Sequence, residues 1–222
     1  VGNRLAQKKT GSYNDANGID LIQKYAHIYG LDEKTGLEIV ENQSKIATEF
    51  PVMAAIGQSD NNLTTVALSR YVTAVASGKK YNYQLMNKIV DVDGNTVAEY
   101  KPDYENISGT LTSTQWDAIH SGMREVVTTM DRFQGFDIAV AGKTGTAQQT
   151  GHANHGLFIG YAPYDDPEIT IAVRIANGYS SHNAATAARN VISYYYGETK
   201  MDDLKEMKAS GASGHTGNSV AD

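Results

Sequence analysis

The sequence contains no cysteine, no long apolar run and no cluster of basic residues. Without cysteine, the chain has no disulfide bonds and no metal site with cysteine ligands. No run approaches the roughly 18 apolar residues of a membrane span, and the first residues do not match a signal peptide. A net charge of −6 without a Lys/Arg cluster argues against nucleic acid as a partner.

What is present points to a folded domain. The 222 residues are 41% apolar, which is enough to build a core and excludes global disorder. The chain opens on Val1 without a Met. We therefore expect it to be part of a longer protein.

The central feature is residues 141–148 (AGKTGTAQ), which follow the strand-like residues 138–140 (IAV). On an edge strand, a lysine ammonium can polarise a hydroxyl or bind an anion, while threonine hydroxyls and backbone N–H groups hold a carboxylate or carbonyl oxygen. A Walker A loop is excluded, because Asp137 stands where that motif needs glycine and no helix is predicted afterwards.

The letters Lys-Thr-Gly occur twice more, beginning at Lys9 and at Lys34. Lys9 lies in a polar loop, and Lys34 follows the predicted end of a helix. We interpret both copies as turns, since neither lies on an alternating strand. Only Lys143 has a preceding strand, a second threonine and small neighbours. The alternative without a functional role is that Lys143 is a solvent-exposed lysine on a strand.

Apolar residues at helical spacing predict helices at residues 19–29, at 65–77, from 112 onwards and from 183 to about 196. Thr112, with Gln115 three residues later, matches a capping box, and Asn183 is the expected cap of the last helix. The buried face of the helix after Thr112 is predicted to carry Trp116, Ile119, Met123, Val126, Val127 and Met130.

Strand signals predict two further features. Residues 84–100 have the pattern of a β-hairpin, with Asp93-Gly94 as a two-residue turn. Residues 138–146, 157–162 and 169–175 are expected to form one antiparallel sheet, with the last helix on one face and an edge or apolar patch left exposed.

As a set, these segments resemble the class B penicillin-binding proteins, whose third motif is K-T-G. The similarity covers about residues 1 to 197. It rests on residues 55–58 (AIGQ) leading into a helix, on 140–147 (VAGKTGTA) and on 157–163 (LFIGYAP). Thr65 stands where the family usually has proline, and Leu157 where it usually has tryptophan. Both are packing or helix-start positions.

The resemblance implies an α/β (α+β) domain of the β-lactamase/transpeptidase type, an antiparallel sheet flanked by helices. We expect residues 1–200 to be the C-terminal part of a transpeptidase domain and 201–222 to be a flexible polar tail. The family needs S-x-x-K and then S-x-N before K-T-G. Ser59-Asp60-Asn61 and Ser77-Gly78-Lys79-Lys80 match these patterns, but in reversed order. Ser77 also closes a helix, where Lys79 and Lys80 are expected to be exposed and to favour the helix dipole. We reject both matches and expect the nucleophilic serine to lie outside this chain.

The implied activity is cross-linking of peptidoglycan stem peptides through an acyl-serine that penicillin also forms. Lys143 would be catalytic, and Thr144, Gly145 and Thr146 would bind substrate. No cofactor and no metal are implied. The expected partners are stem peptides ending in D-Ala-D-Ala, β-lactams and other cell-wall synthesis proteins. The expected location is the outer face of the bacterial cytoplasmic membrane, anchored by an N-terminal segment absent from this chain.

Two other classes stay open. A serine β-lactamase or penicillin-sensing receptor shares the motifs, although residues 57–58 (GQ) and the long middle segment favour the transpeptidase. A non-catalytic binding domain of the same fold would tolerate a missing serine. The pair His152 and His155 lies in a Gly/Asn loop without a carboxylate partner. We interpret these histidines as polar loop residues rather than metal ligands.

Overall fold

The structure, a computed structural model, describes residues 12–148 and 151–205 of the chain. The chain divides after Thr110 into two units, Val1–Thr110 and Leu111–Asp222. In the described ranges, no helix combines the length and the apolar character needed to cross a bilayer.

Within residues 12–110, the first unit has three α-helices: α1 (Asp15–Ile28), α2 (Pro51–Ala54) and α3 (Thr65–Ser77). The bounds predicted for α3 are confirmed, because Thr64 caps its first turn and Gly78 ends it in the left-handed region. Helix α1 begins four residues earlier than predicted, since the side chain of Asn14 accepts a hydrogen bond from the backbone N–H of Ala16.

Arg70 of α3 is the buried cation of this unit, with only 1% of its surface exposed. Its guanidinium donates hydrogen bonds to the main-chain carbonyls of Gly30, Glu33 and Lys34. These carbonyls follow α1, so the positive charge lies where a helix end is negative. Burial lowers the pKa of Arg70, and the nearby Glu33 carboxylate opposes that shift. Arg70 therefore fixes the segment after α1 to α3.

The described part of the first unit also has four short strands. Strand β1 (Lys79–Asn82) pairs antiparallel with β4 (Asp103–Asn106), and β2 (Lys88–Val90) pairs antiparallel with β3 (Thr96–Glu99). The hairpin predicted for residues 84–100 is confirmed by the β2–β3 pair, but the prediction of a two-residue turn at Asp93-Gly94 is wrong.

The turn of this hairpin spans five residues, because Val90 pairs with Thr96. The Asp91 carboxylate accepts the backbone N–H groups of Asp93 and Asn95, which stabilises the longer loop.

The second unit is built on strands β5 (Ala141–Ala147), β6 (His155–Ala162) and β7 (Ile169–Ile175). Their order is β5-β6-β7, and both pairs are antiparallel. The predicted single sheet is therefore confirmed, although residues 138–140 precede β5 rather than belonging to it. Among the described residues, β5 and β7 each have a strand neighbour on one side only, as the prediction of an exposed edge requires.

Helices α4 (Ser113–Thr128) and α5 (Ser181–Tyr195) contribute to the second core, together with the segment between α4 and β5. Phe158 of β6 is fully buried there. The buried residues that pack in the same cluster are Val127, Met130, Phe133, Val140, Ala162, Ala184, Ala185, Ala188 and Ile192. The alanines of α5 let this helix lie close to the sheet.

The predicted capping box of α4 is present, since Thr112 and Gln115 exchange side-chain and backbone hydrogen bonds. Its predicted buried face is confirmed for Val127 and Met130, whereas Ile119 is 36% exposed. The prediction for Ile119 is wrong, because it lies about two turns before Val126 and Val127, the part of the helix that packs in the core.

The predicted cap of α5 is also wrong. The helix is capped by Ser180, whose hydroxyl accepts the backbone N–H of His182. Asn183 is instead buried in the first turn, where its amide donates to the carbonyl of Gly178 at 2.9 Å.

The tail expected from residue 201 begins with a short helix, α6 (Met201–Lys205). The rest of that segment, 206–222, lies outside the described residues.

Replacing Gly122 by alanine is expected to stabilise the second unit. Gly122 lies inside α4, and a Cβ placed there would meet no atom within 4 Å. Alanine in an exposed helix interior is favoured over glycine by roughly 0.5–1 kcal/mol. Urea unfolding of the G122A chain should show a higher midpoint with an unchanged slope. An unchanged or lower midpoint would contradict the open environment of this residue.

Candidate active site on the edge strand

The four predicted site residues lie consecutively on β5, and the strand ladder fixes the direction of each side chain. Lys143 pairs with Ile159, and Thr144 pairs with the buried Phe158. Because side chains alternate along a strand, Thr144 and Thr146 share the face of Phe158. Lys143 and Gly145 lie on the opposite face, and Lys143 is exposed.

This alternation constrains where a ligand can bind. Strand β5 is an edge strand among the described residues. A ligand above either face would reach Lys143 or Thr144, but not both side chains. A ligand that contacts both must therefore lie along the free edge of β5, in the plane of the sheet.

The Lys143 ammonium remains available for such a ligand. Its Nζ atom donates to the carbonyl oxygen of Thr144 at 2.8 Å. Within the described ranges, Lys143 takes part in none of the salt bridges. An ammonium has three donors, so two of them make no hydrogen bond to the described part of the chain and can meet a hydroxyl or a carboxylate.

The two glycines of β5 differ sharply in their surroundings. A Cβ on Gly142 would lie 2.3 Å from the Cζ atom of Phe158 and 2.8 Å from the carbonyl oxygen of Ile159. A Cβ on Gly145 would meet only the Leu157 side chain, at 3.4 Å or more. Packing therefore requires glycine at 142, whereas it tolerates a small side chain at 145.

The start of β5 is fixed by contacts that the sequence did not reveal. Arg124 of α4 donates from its guanidinium to the carbonyl of Val140 at 2.7 Å. The backbone N–H of Tyr164 donates to the carbonyl of Ala139, also at 2.7 Å. Both partners are distant in sequence, so local pattern carries no signal for them. Together they anchor the strand just before Lys143.

The second copy of Lys-Thr-Gly has a different structure. Thr35 is buried, and the Glu41 carboxylate accepts its hydroxyl and the backbone N–H groups of Thr35 and Gly36. Gly36 has a φ of 99° and belongs to no strand. The interpretation of this copy as a turn is confirmed, whereas the copy at Lys9 lies outside the described residues.

Both rejected serine motifs have structural roles. Ser59 has a φ of 66°, and its hydroxyl donates to the carbonyl of Glu49 at 2.7 Å. Ser77 closes α3, where its hydroxyl donates to the carbonyl of Thr73 at 2.7 Å. Neither serine opens a helix with a lysine one turn later, as the acyl-transfer nucleophile requires.

One expectation about the Ser77 segment is wrong. Lys80 belongs to β1 and is only 13% exposed, because it forms salt bridges with Glu33 and Glu105. Lys79 lies over the ring of Tyr104, with its Nζ atom 4.5 Å from the ring centroid. These lysines hold the β1–β4 pair rather than extending from the helix end.

His155 was interpreted from sequence as a polar loop residue, but it is the first residue of β6. Its Nδ1 atom accepts the backbone N–H of Asn177 at 3.0 Å. In the described ranges, no group of three or more His, Asp or Glu side chains is arranged to hold a metal ion.

The family model of the penicillin-binding protein transpeptidase domain matches residues 5–193. The chain belongs to this family. The match spans both units, and the Lys143 strand lies within it. The recognition made from the K-T-G context is therefore confirmed.

The names of curated relatives agree with this family. The chain is 27% identical over 219 residues to the peptidoglycan D,D-transpeptidase MrdA of Haemophilus influenzae, covering 80% of this chain and 33% of that protein. It is 27% identical to penicillin-binding protein 2A of Bacillus subtilis, covering 88% of this chain and 30% of that protein. The chain thus spans about a third of the length of the curated relatives it matches.

Solved structures show the same fold at lower identity. Penicillin-binding protein 2B of Streptococcus pneumoniae superposes with a TM-score of 0.74 and 21% identity, covering 90% of this chain and 38% of that one. An imipenem acyl-enzyme complex of penicillin-binding protein A from M. tuberculosis superposes with a TM-score of 0.72 and 22% identity, covering 81% of this chain and 42% of that one. The α+β transpeptidase fold, with an antiparallel sheet and packed helices, is confirmed.

Proposed function

We propose that the protein to which this chain belongs is a peptidoglycan D,D-transpeptidase, and that β5 forms one wall of its acyl-transfer site. The observation that carries this proposal is the Lys-Thr-Gly-Thr segment on the free edge of β5, in a chain of the transpeptidase family. A relative that shares 27% identity is itself a peptidoglycan D,D-transpeptidase.

In the proposed reaction, a serine outside these 222 residues attacks the carbonyl carbon of the D-Ala-D-Ala peptide bond. The bond to the terminal D-Ala breaks, the serine proton passes to its nitrogen so that D-Ala leaves as a free amine, and the remaining acyl group becomes a serine ester. The amine of a second stem peptide then attacks the ester, so that a new peptide bond forms and the serine regains its proton. Penicillin reacts in the first step, because the serine attacks its β-lactam amide instead of the peptide bond.

The residues of β5 have separate tasks in this scheme. The Lys143 ammonium supports the proton relay to the serine and attracts the substrate anion. The hydroxyls of Thr144 and Thr146 bind the terminal carboxylate. A backbone N–H near Thr146 donates to the oxygen that becomes negative in the tetrahedral intermediate. Gly145 leaves space on the Lys143 face. No cofactor takes part.

The edge position favours an extended substrate. A peptide that adds to β5 as a further strand would satisfy backbone groups of the edge and reach side chains on both faces. A stem peptide ending in D-Ala-D-Ala would bind in this extended form and bring a terminal carboxylate to the threonines. The edge thus accounts for contacts to Lys143 and Thr144 in one complex.

Partners and location are part of the same proposal. β-Lactams are expected ligands, and the imipenem acyl-enzyme of the M. tuberculosis relative supports this. Another cell-wall protein is an expected partner, supported by the solved complex of a related Helicobacter pylori penicillin-binding protein (PBP2) with MreC. The proposed location is the outer face of the cytoplasmic membrane, with the anchor supplied by sequence outside this chain.

A labelling experiment tests the proposal. The intact protein, incubated with a fluorescent penicillin, should gain one covalent adduct on a serine outside these 222 residues. The 222-residue chain alone should gain none, because the hydroxyls of Ser59 and Ser77 are hydrogen-bonded to main-chain carbonyls. Peptide mapping by mass spectrometry locates the adduct. An adduct on Ser59 or Ser77, or an unlabelled intact protein, would contradict the proposal.

A further inference from the structure

The turn between β7 and α5 has a backbone that needs support from outside. Two of its non-glycine residues lie in the left-handed region, Asn177 with a φ of 53° and Tyr179 with a φ of 63°. A bulky side chain such as tyrosine rarely adopts this conformation. It persists only where neighbouring groups hold the backbone in place.

The support comes from the first residue of β6 and the residue just before it. The backbone N–H of Tyr179 donates to the carbonyl of Asn154 at 3.0 Å. The backbone N–H of Asn177 donates to the Nδ1 atom of His155, also at 3.0 Å. Both left-handed residues are therefore held through their amides by two consecutive residues of the β5–β6 hairpin.

Close packing adds a third contact. A Cβ on Gly156 would lie 2.4 Å from the carbonyl oxygen of Ser180, the cap of α5. Residues 154–156 thus form a clamp around the turn at residues 177–180. We use the name clamp for these three residues only.

The clamp also belongs to the strand that carries the candidate site. His155 pairs with Ala147, and Gly156 pairs with Thr146. His155 therefore connects two parts of this unit. Its imidazole accepts the N–H of Asn177 in the turn before α5, and its backbone position pairs with the end of β5 where the oxyanion donor is proposed.

We propose that His155 is a positioning residue, whose neutral imidazole fixes the Thr146–Ala147 end of β5 against the turn before α5. This inference rests on the proposed function for its effect on acyl transfer, but not for the structural coupling itself. A backbone N–H can only donate, so Nδ1 must accept, and the proton of neutral His155 resides on Nε2. A protonated imidazole cannot accept this bond.

The charges around His155 favour the neutral form. Burial lowers the pKa of His155, and positive Arg174 of β7 and His152 of the preceding loop lower it further from the ordinary value of 6.5. His182 at the start of α5 pairs with the hydroxyl of Ser180. Because the folded pKa lies below the unfolded one, the stability linked to His155 is complete above pH about 6.5 and is lost as the pH falls toward the folded pKa.

The first test uses NMR on the 222-residue chain. The ¹⁵N shifts of His155 should show the Nε2–H tautomer at neutral pH. On acidification, the backbone amides of Asn177, Thr146 and Ala147 should shift with the midpoint of His155. Constant Thr146 and Ala147 amides while His155 titrates would overturn the inference, whether or not the protein acylates penicillin.

Two variants separate the hydrogen bond from the bulk of the ring. In H155N the side-chain oxygen can replace Nδ1 as the acceptor, whereas H155F fills the space and accepts nothing. The H155N chain should keep the Thr146 and Ala147 amides near their neutral-pH positions down to pH 5. The H155F chain should show them displaced at every pH. H152N is the matched control and should behave as the wild type with a slightly altered midpoint.

The second test measures the rate of penicillin acylation in the intact protein from pH 5 to 8. H155F should be slower by on the order of tenfold, since misplacement of a reacting group by about 1 Å can cost up to a hundredfold. H155N should acylate at the wild-type rate at neutral pH. Its rate should fall less than the wild-type rate as the pH is lowered, because its side-chain oxygen does not titrate. A purely structural role would lower Tm without changing the pH profile, and H155F with the wild-type profile would refute the inference. If no variant or wild type acylates at all, the proposed function fails, and the NMR result still decides the coupling.

Discussion

Replacing Lys143 by alanine in the intact protein is expected to slow acylation by penicillin by roughly 10²–10⁴-fold, the usual contribution of a positioned proton-transfer or electrostatic group. The side chain is exposed on the edge strand and forms no salt bridge within the described ranges. Its removal should therefore leave the fold intact. Stopped-flow or gel-based acylation rates, with Tm measured in parallel, provide the comparison.

Lys34→Ala is the matched control, because it removes the lysine from a second Lys-Thr-Gly sequence. The carbonyl of Lys34, rather than its side chain, meets Arg70 at 2.9 Å. This variant should acylate at the wild-type rate. If both variants acylate normally, Lys143 has no catalytic role. A defect confined to Lys34→Ala would mean that the wrong copy carries the chemistry.

The three copies of Lys-Thr-Gly show what sequence can decide about the site. The copy at Lys143 was selected because small residues and a strand pattern surround it, and the ladder between β5 and β6 has that form. The copy at Lys34 was set aside because it follows a helix. The structure shows why it cannot serve, since the Glu41 carboxylate occupies its threonine and backbone. Local context was sufficient to tell the strand copy from the turn copy at Lys34, whereas the assignment of the site to Lys143 stays a prediction.

Helix bounds were predictable where the signals are local. Helix α3 begins after a threonine cap and ends at a glycine, so its predicted residues are the observed ones. The cap of α5 was misplaced because both Ser180 and Asn183 are good caps by residue type. The choice between them depends on Asn183 reaching the carbonyl of Gly178. Such a contact exists only after the turn has formed.

Contacts between residues distant in sequence could not be predicted from the local sequence pattern. Arg70 occupies a helix position where an arginine is ordinarily exposed, yet it is buried against carbonyls 36 to 40 residues away. His155 was interpreted as a loop histidine, because nothing near it in sequence shows that Asn177 donates to its ring. In both cases the partners are main-chain atoms, which carry no signature of residue type.

Gly142→Ala is expected to destabilise the second unit by about 1–3 kcal/mol, the cost typical of overpacking a filled core. The new methyl would overlap the ring of Phe158 at 2.3 Å and the carbonyl oxygen of Ile159 at 2.8 Å. Phe158 is fully buried and cannot turn aside without displacing the α5 alanines packed with it. Urea unfolding of the 222-residue chain should show a lower midpoint. A midpoint equal to that of the wild type would show that the sheet can open at this position.

Gly145→Ala, three residues further along the same strand, is expected to leave stability nearly unchanged but to slow acylation. Its methyl would contact only Leu157, at 3.4 Å, so the free energy of unfolding should change by less than about 1 kcal/mol. The methyl would, however, project beside Lys143, next to the free edge along which the ligand is proposed to lie. Acylation by penicillin in the intact protein should fall by at least about tenfold, because the reacting bond can no longer reach its aligned position. If Gly145→Ala acylated normally while remaining folded, this glycine would have no role in binding. If it unfolded as Gly142→Ala does, the distinction between the packing glycine and the site glycine would be wrong.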